Sequence, residues 1–277
     1  SRNGRYVAFE TRASELIGGN FQDQIVMLDR QTGVYQVVSR LGPDVGNDGS
    51  MKPAMSADGR YIAFVTEATN LATVDTPKGG AFVYDTETGL LTLISKATDG
   101  NGPDETIDSV AMSDDGTVAA FSTRASNLIA GSTDARSHVY VVDLDTLSPV
   151  RITADGLSES PNHDEFISAS DVELNGDGSL VVYRGAFKNN FTGQPSLSGH
   201  WLYDRSTGDT ESLTRQPSGV PAYGRYRYGA DMTPDGRFVV FDHSQLTSQI
   251  NDTILPGPGN YDVIYQLDRL TDTYEFV

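Results

Sequence analysis

The sequence predicts an all-β protein built of repeated antiparallel units, and three observations carry that prediction. The composition favours strands and turns: 28 Gly and 12 Pro stand beside 28 Asp but only 10 Glu, and 16 Arg but only 4 Lys. Asp suits turns, whereas Glu and Lys favour helices. No window sustains a 3.6-residue apolar period, so long helices are not expected. Finally, the chain repeats itself, and a fixed period outranks local signals.

The repeat reads as four short strands. Strand B is NGRYVAF at 3–9, DGRYIAF at 58–64, DGTVAAF at 115–121, DGSLVVY at 177–183 and DGRFVVF at 235–241. Its glycines, Gly4, Gly59, Gly116, Gly178 and Gly236, are spaced by 55, 57, 62 and 58 residues. Strand C follows at 25–33, 82–89, 139–146, 201–208 and 264–271, each copy containing Asp-x-x-Thr. Strand D comes next at 34–40, 90–96, 149–154, 210–215 and 273–277. Strand A precedes the next turn at 53–56, 110–113, 170–175 and 230–233. All are rich in Val, Ile, Tyr and Phe and bounded by Gly, Asp or Asn, the pattern of strands.

A four-stranded antiparallel unit cannot bury both faces alone, and repetition around an axis solves that. The expected fold is therefore a β-propeller of about five four-stranded antiparallel blades, with a broken six-bladed ring as the alternative. The chain holds five B–C–D sets but four A strands, so the first blade is expected to lack strand A. Without a linker or composition break, 1–277 reads as one domain of five repeats: 1–40, 41–96, 97–154, 155–215 and 216–277.

The pattern S-x-D-G-R-Y-[VI]-A-F, then T-x-A-[ST]-N-L, then V-Y-D-x-x-T-G, resembles the TolB-like, WD-type β-propeller repeats of bacterial secreted and surface proteins. The resemblance spans the chain. The fourth copy, with Arg184-Gly185-Ala186-Phe187, lacks the A-[ST]-N-L element, and the fifth keeps only Leu246. The resemblance implies a propeller in an extracellular, cell-surface or periplasmic setting. It implies no particular activity, because the repeat is a scaffold.

Charge narrows the partners. The net charge of −18 disfavours nucleic acid and anionic membrane. No apolar run approaches 18 residues, so no membrane insertion is expected. The opening SRNGRYVAF has no basic and apolar leader and reads as no signal peptide. With no Cys, disulfides and thiolate metal sites are excluded.

The motifs argue against chemistry. Asp29, Asp85, Asp143, Asp204 and Asp268 recur in every unit, and one active site would not need five copies; each is expected to accept backbone N–H bonds in its turn. Leu16, Leu71 and Leu128 read as plugs beneath the B–C connections, and Trp201 as core. His138, His163, His200 and His243 have no zinc spacing. No G-x-S-x-G elbow or phosphate loop is present. No catalytic residue, metal ligand or cofactor is therefore assigned. Calcium is the cation that the oxygen-rich stretches Asp44/Asn47/Asp48, Asp99/Asn101/Asp104/Glu105 and Asp164/Glu165 would suit, though none has the spacing of a calcium-binding loop.

The long B–C and D–A connections share one face and form the expected functional surface. One of them, PAYGRYRYG at 221–229, places Tyr223, Arg225, Tyr226, Arg227 and Tyr228 together in an acidic chain. Tyr and Arg are enriched in binding hot spots, and guanidinium binds carboxylate or sulfate in a bidentate way. The expected function is a non-catalytic interaction or surface-structural module, part of a larger protein. Its partner is expected to be a protein, a neighbouring subunit or an acidic glycan. The alternative is a carbohydrate-active enzyme, a glycosidase or lyase, with its site on the long-loop face.

Overall fold

The computed structural model describes residues 1–18, 22–130, 136–153, 165–188, 197–213, 229–244 and 262–277. Among these, five antiparallel sheets follow in chain order, each with its strands adjacent in sequence. The first has three strands: β1 (Tyr6–Thr11), β2 (Gln24–Asp29) and β3 (Val34–Val37). A two-stranded ribbon follows, β4 (Arg40–Leu41) and β5 (Asp44–Val45). The second sheet is β6 (Ser50–Met55), β7 (Tyr61–Thr66), β8 (Gly80–Asp85) and β9 (Leu91–Leu93). The third is β10 (Ile107–Met112), β11 (Val118–Thr123), β12 (His138–Asp143) and β13 (Val150–Arg151). The fourth is β14 (Glu165–Leu174), β15 (Leu180–Lys188), β16 (Leu197–Asp204) and β17 (Thr210–Ser212). The fifth is β18 (Ala230–Met232), β19 (Phe238–Ser244), β20 (Asp262–Asp268) and β21 (Thr273–Phe276). The sheets fall on the repeat segments read from the sequence, with differences at their ends. β6, β10 and β14 begin at Ser50, Ile107 and Glu165, ahead of the A segments at 53–56, 110–113 and 170–175, and β15 and β16 extend to Lys188 and from Leu197. The ribbon stands between the first and second sheets, and a single helical turn, α1 (Ser14–Ile17), between β1 and β2.

Alternation along each strand sends its two faces to two neighbours. Ile62 and Phe64 pack with Ile25 and Met27 of the first sheet. Ala63 and Val65 pack the other way, with Phe121 and Tyr140 of the third. Val118 and Ala120 pack with Val181, Tyr183 and Trp201, the last buried as expected. Val182 and Leu202 close against Phe241 and Tyr265. The core is therefore a series of inter-sheet seams.

The turns lock these seams. The glycine of each A–B turn sits on the first side chain of the preceding B strand. A Cβ at Gly59, with φ +82°, would lie 2.4 Å from Tyr6, and one at Gly116 2.4 Å from Tyr61. Both the left-handed backbone and the close approach require glycine there. The same turns join hands through the backbone. Arg2 N–H donates to Ala57 O, Ala57 N–H to Asp114 O, Asp115 N–H to Gly176 O and Gly176 N–H to Pro234 O. Pro234, in the last of the five sheets, is the final acceptor of this series and has no N–H to donate onward.

The A-[ST]-N-L element proves to be a clamp between connections. Asn127 Nδ2–H donates to Gly102 O at 3.0 Å and its Oδ1 accepts from Asp104 N–H at 3.1 Å. Asn70 does the same to Val45 O and Asn47 N–H. Leu71 and Leu128 are buried beneath as expected, but in the first copy the buried plug is Ile17, one residue after Leu16. The helical turn at 14–17 rotates the chain by one position and exchanges the two side chains.

Candidate functional site

Two places gather chemistry among the described residues. The first is the inner wall, where β6, β10, β14 and β18 pack in order. Each strand ends one residue after a position held by Ala54, Ala111, Glu173 and Asp231 in turn. The first two copies carry alanine there and the last two carry carboxylates. A cavity of about 330 Å³ opens beside them, lined by Lys52, Ser109, Asp171, Glu173 and Gly229.

Bulges shape this wall. Register shifts fall between Met51 and Ala54, between Ile107 and Ser109, and between Ser170 and Glu173. Lys52 and Asp171 there adopt φ +56° and +51°. The Lys52 N–H donates to Glu10 Oε1 at 2.6 Å, and its Nζ donates to Asp108 O. Asp171 is paired with Arg184 at 3.2 Å. The Glu173 side chain is exposed along the cavity, while protein atoms crowd its carboxyl. That desolvation, with the charges of Asp231 and Asp171, pushes the carboxyl up to about 8.

The second place is the row of grooves along the seams, on the side of the C–D turns. One, of about 330 Å³, lies between the first two sheets and is lined by Tyr6, Met27, Asp29, Val34, Gln36 and Glu87, among others. A second, of about 460 Å³, lies between the second and third sheets. It is lined by Arg60, Tyr61, Val83, Asp85, Leu90 and Leu144, with Asp58, Asp115 and Asp145 on its rim. Tyr61 corresponds to Tyr6 in the repeat, Asp85 to Asp29 and Leu90 to Val34.

The recurrent carboxylates have structural partners. Arg5 grips Asp29 through Nε and Nη2 at 3.1 and 2.8 Å, Arg60 grips Asp85 at 3.3 and 2.9 Å, and Arg237 grips Asp268 at 3.1 and 2.7 Å. Each guanidinium also stacks on the next side chain, 4.7 to 4.9 Å from the ring centre of Tyr6, Tyr61 or Phe238. The arginine hydrogen bonds hold Asp29 and Asp85 below the usual carboxylate range and Asp268 at about 2. The second-next N–H of each turn completes the set, from Gln31, Glu87 and Leu270. Asp204 accepts the N–H and hydroxyl of Ser206. Asp143 departs from the pattern: Thr117 replaces the arginine of its own sheet, and Arg205 of the fourth sheet supplies the guanidinium instead, at 2.7 Å.

The histidines lie apart. His138 Nδ1 bonds Thr153 Oγ1 at 2.9 Å, and His200 Nε2 lies 3.4 Å from Asp242 in the seam between the fourth and fifth sheets. The acidic stretches serve their loops: Asp104 accepts the N–H and hydroxyl of Ser126, and Asp99 accepts Asn101 N–H. Among the described residues, no three His, Asp or Glu side chains converge to hold a metal. Tyr223, Arg225, Tyr226, Arg227 and Tyr228 lie outside the described residues, as do His163 and Asp164. The inner-wall carboxylates were not singled out from the sequence. The signal was there, in the change from Ala54 and Ala111 to Glu173 and Asp231 at one repeat position.

No protein-family model matches the chain, and no curated protein matches it in sequence. Solved structures do match. TolB from Acinetobacter baumannii is 17% identical at a TM-score of 0.56, over 100% of this chain and 53% of that one. The tricorn protease is 12% identical at 0.54, over 98% of this chain and 25% of that one. The β-propeller domain of the Trilobed protease from Pyrococcus furiosus, described as having an open velcro topology, is 12% identical at 0.56, over 99% and 68%. The chain thus spans about half of the TolB chain and a quarter of the tricorn protease chain. At these identities the likeness is one of fold. The class of protein is the β-propeller, and within that class the fold is TolB-like.

Proposed function

We propose that residues 1–277 form one propeller domain of five blades, the first without its inner strand, acting as a non-catalytic interaction module of an extracellular, cell-surface or periplasmic protein. The observation that carries this reading is the use of the recurrent carboxylates. Asp29, Asp85, Asp204 and Asp268 are bound by arginines or by their own turns, which is scaffold work repeated in each sheet. No helix among the described residues is long and apolar enough to cross a membrane. The partner is a protein, a neighbouring subunit or an acidic glycan, with Tyr223, Arg225, Tyr226, Arg227 and Tyr228 as the contact set. No cofactor is needed; calcium in the Asp-rich connections is tested by chelation, which lowers the melting temperature if the folded state binds the ion.

The test is binding to immobilised heparin and polygalacturonate at low salt, for the native chain and Arg225→Ala/Arg227→Ala. Retention that falls at least tenfold in the double variant, at unchanged melting temperature, supports the reading. Equal retention removes the contact set. A second reading, a carbohydrate-active enzyme, has Glu173 behind it. A carboxyl held at about 8 beside Asp171 and Asp231 has the make-up of a general acid next to carboxylates. Release of reducing ends or unsaturated sugars from such polymers, lost in Glu173→Gln, would replace the first reading with this one.

A further inference from the structure

The seams fall into two kinds. Between the third and fourth sheets, Arg205 spans the groove: its Nη1–H donates to Gly178 O at 3.1 Å and its Nη2–H to Asp143 Oδ1 at 2.7 Å. Between the fourth and fifth, Arg269 does likewise, donating to Gly236 O at 2.9 Å and lying 3.7 Å from Glu211. Both arginines directly follow the last Asp of strand C. At that same repeat position the third sheet carries Leu144. There the groove of about 460 Å³ between the second and third sheets stands open.

The lining of that groove matches what fills the other two. Its floor is apolar, made of Tyr61, Val83, Leu90 and Leu144, and Leu90 is 63% exposed. Its rim carries Asp58, Asp115 and Asp145, while Arg60 is already committed to Asp85 and Glu87. Asp58 and Asp115 each use Oδ1 for their own turns, accepting Arg60 N–H and Thr117 N–H. An apolar trough under an acidic rim takes a long aliphatic stem with a cationic head. Two neighbouring seams of the same molecule show an arginine side chain in this place.

We propose that the groove between the second and third sheets is a docking site for an arginine side chain of a protein partner. The stem lies on Leu90, Val83 and Tyr61, and the guanidinium reaches Gly116 O and the carboxylates of Asp115 and Asp145. The partner segment it calls for is basic, whereas the contact set proposed at 223–228 calls for an acidic one. Neither site depends on the other.

The test uses the native chain and N-acetyl-arginine amide, followed by backbone amide NMR. A single side chain is expected to bind with a Kd of about 1–10 mM, a few kcal/mol. Shifts should centre on Asp85, Leu90, Asp115, Gly116 and Leu144. The citrulline analogue, which keeps the shape and loses the charge, should bind at least tenfold more weakly. Leu144→Arg should fill the groove from within, as Arg205 does, and abolish binding while retaining the amide spectrum of a folded chain. Asp145→Asn, at an exposed position, should weaken binding about threefold without a change in fold. Shifts spread over the whole acidic surface, equal binding of citrulline, or full binding by both variants would each overturn the proposal.

Discussion

The first and second sheets carry nearly the same residues and live in different surroundings. NGRYVAF at 3–9, which leads into β1, and DGRYIAF at 58–64, which leads into β7, differ at two positions. Yet Val7 is 41% exposed where Ile62 is fully buried, and Phe9 is half-buried where Phe64 is fully buried. The second sheet lies between two others. The first packs against the second on one face, and on its other face Phe9 meets Tyr35 of its own sheet, 6.5 Å away. Burial in this molecule is thus a gift of the neighbouring sheet, and a repeat residue has no fixed energetic worth of its own.

Four experiments press on that comparison. The largest effect is expected from Phe64→Ala, which empties a site stacked on Phe82 at 6.0 Å and should cost about 3–5 kcal/mol in urea denaturation. Phe9→Ala, at the same repeat position, should cost less than half as much. Equal losses would mean that the outer face of the first sheet is covered in solution. Next comes the turn glycine. Gly59→Ala imposes both a left-handed alanine and a clash with Tyr6, and should cost about 2–4 kcal/mol. Gly4→Ala has the same strain, but its nearest atom is Arg30 Nη1 at 3.5 Å, so only about 1–2 kcal/mol is expected. Indistinguishable values would show that the seat on Tyr6 carries no strain.

The inner wall supplies a pH test. Ala54 of the second sheet and Glu173 of the fourth occupy one repeat position. Glu173 is raised from 4.5 to about 8, so the folded state binds its proton more tightly than the unfolded chain does. The resulting stability is complete below about pH 4.5 and is lost as pH rises through 8. Glu173→Gln should therefore melt at least about 3 °C above the native chain at pH 9, equivalent to roughly 1 kcal/mol, and match it near pH 4. A gap independent of pH would sink that assignment. The smallest effect belongs to Arg60→Ala. Its ion pair with Asp85 is exposed to salt, so the melting temperature should fall by about 2 °C or less, and the difference should shrink in 0.5 M salt. A larger, salt-insensitive fall would place the worth of Arg60 in its packing on Tyr61.

Much of the fold was legible because its signals are local. Asp-Gly at each A–B turn and Asp-x-x-Thr at each C–D turn specify backbone conformation within four residues, and alternation specifies which side chains share a face. The structural role of Asp29, Asp85 and Asp268 was legible for the same reason, since each bonds an N–H two residues on. The exchange of Leu16 for Ile17 was not, because one helical turn shifts the register by a residue and no propensity marks it.

By itself, then, the sequence determined the repeat, the strand boundaries near each turn, and the residues that face inward along every strand. These follow from hydrogen bonds and sterics between near neighbours in the chain. Only the tertiary structure decided which of those inward faces is buried, which carboxylate is pushed up, and which seam is strapped or left as a groove. Arg205 reaches Asp143 across 62 positions, and Glu173 feels Asp231 across 58. Such effects depend on the distance between sheets, and through-space distance is the quantity a linear pattern does not contain.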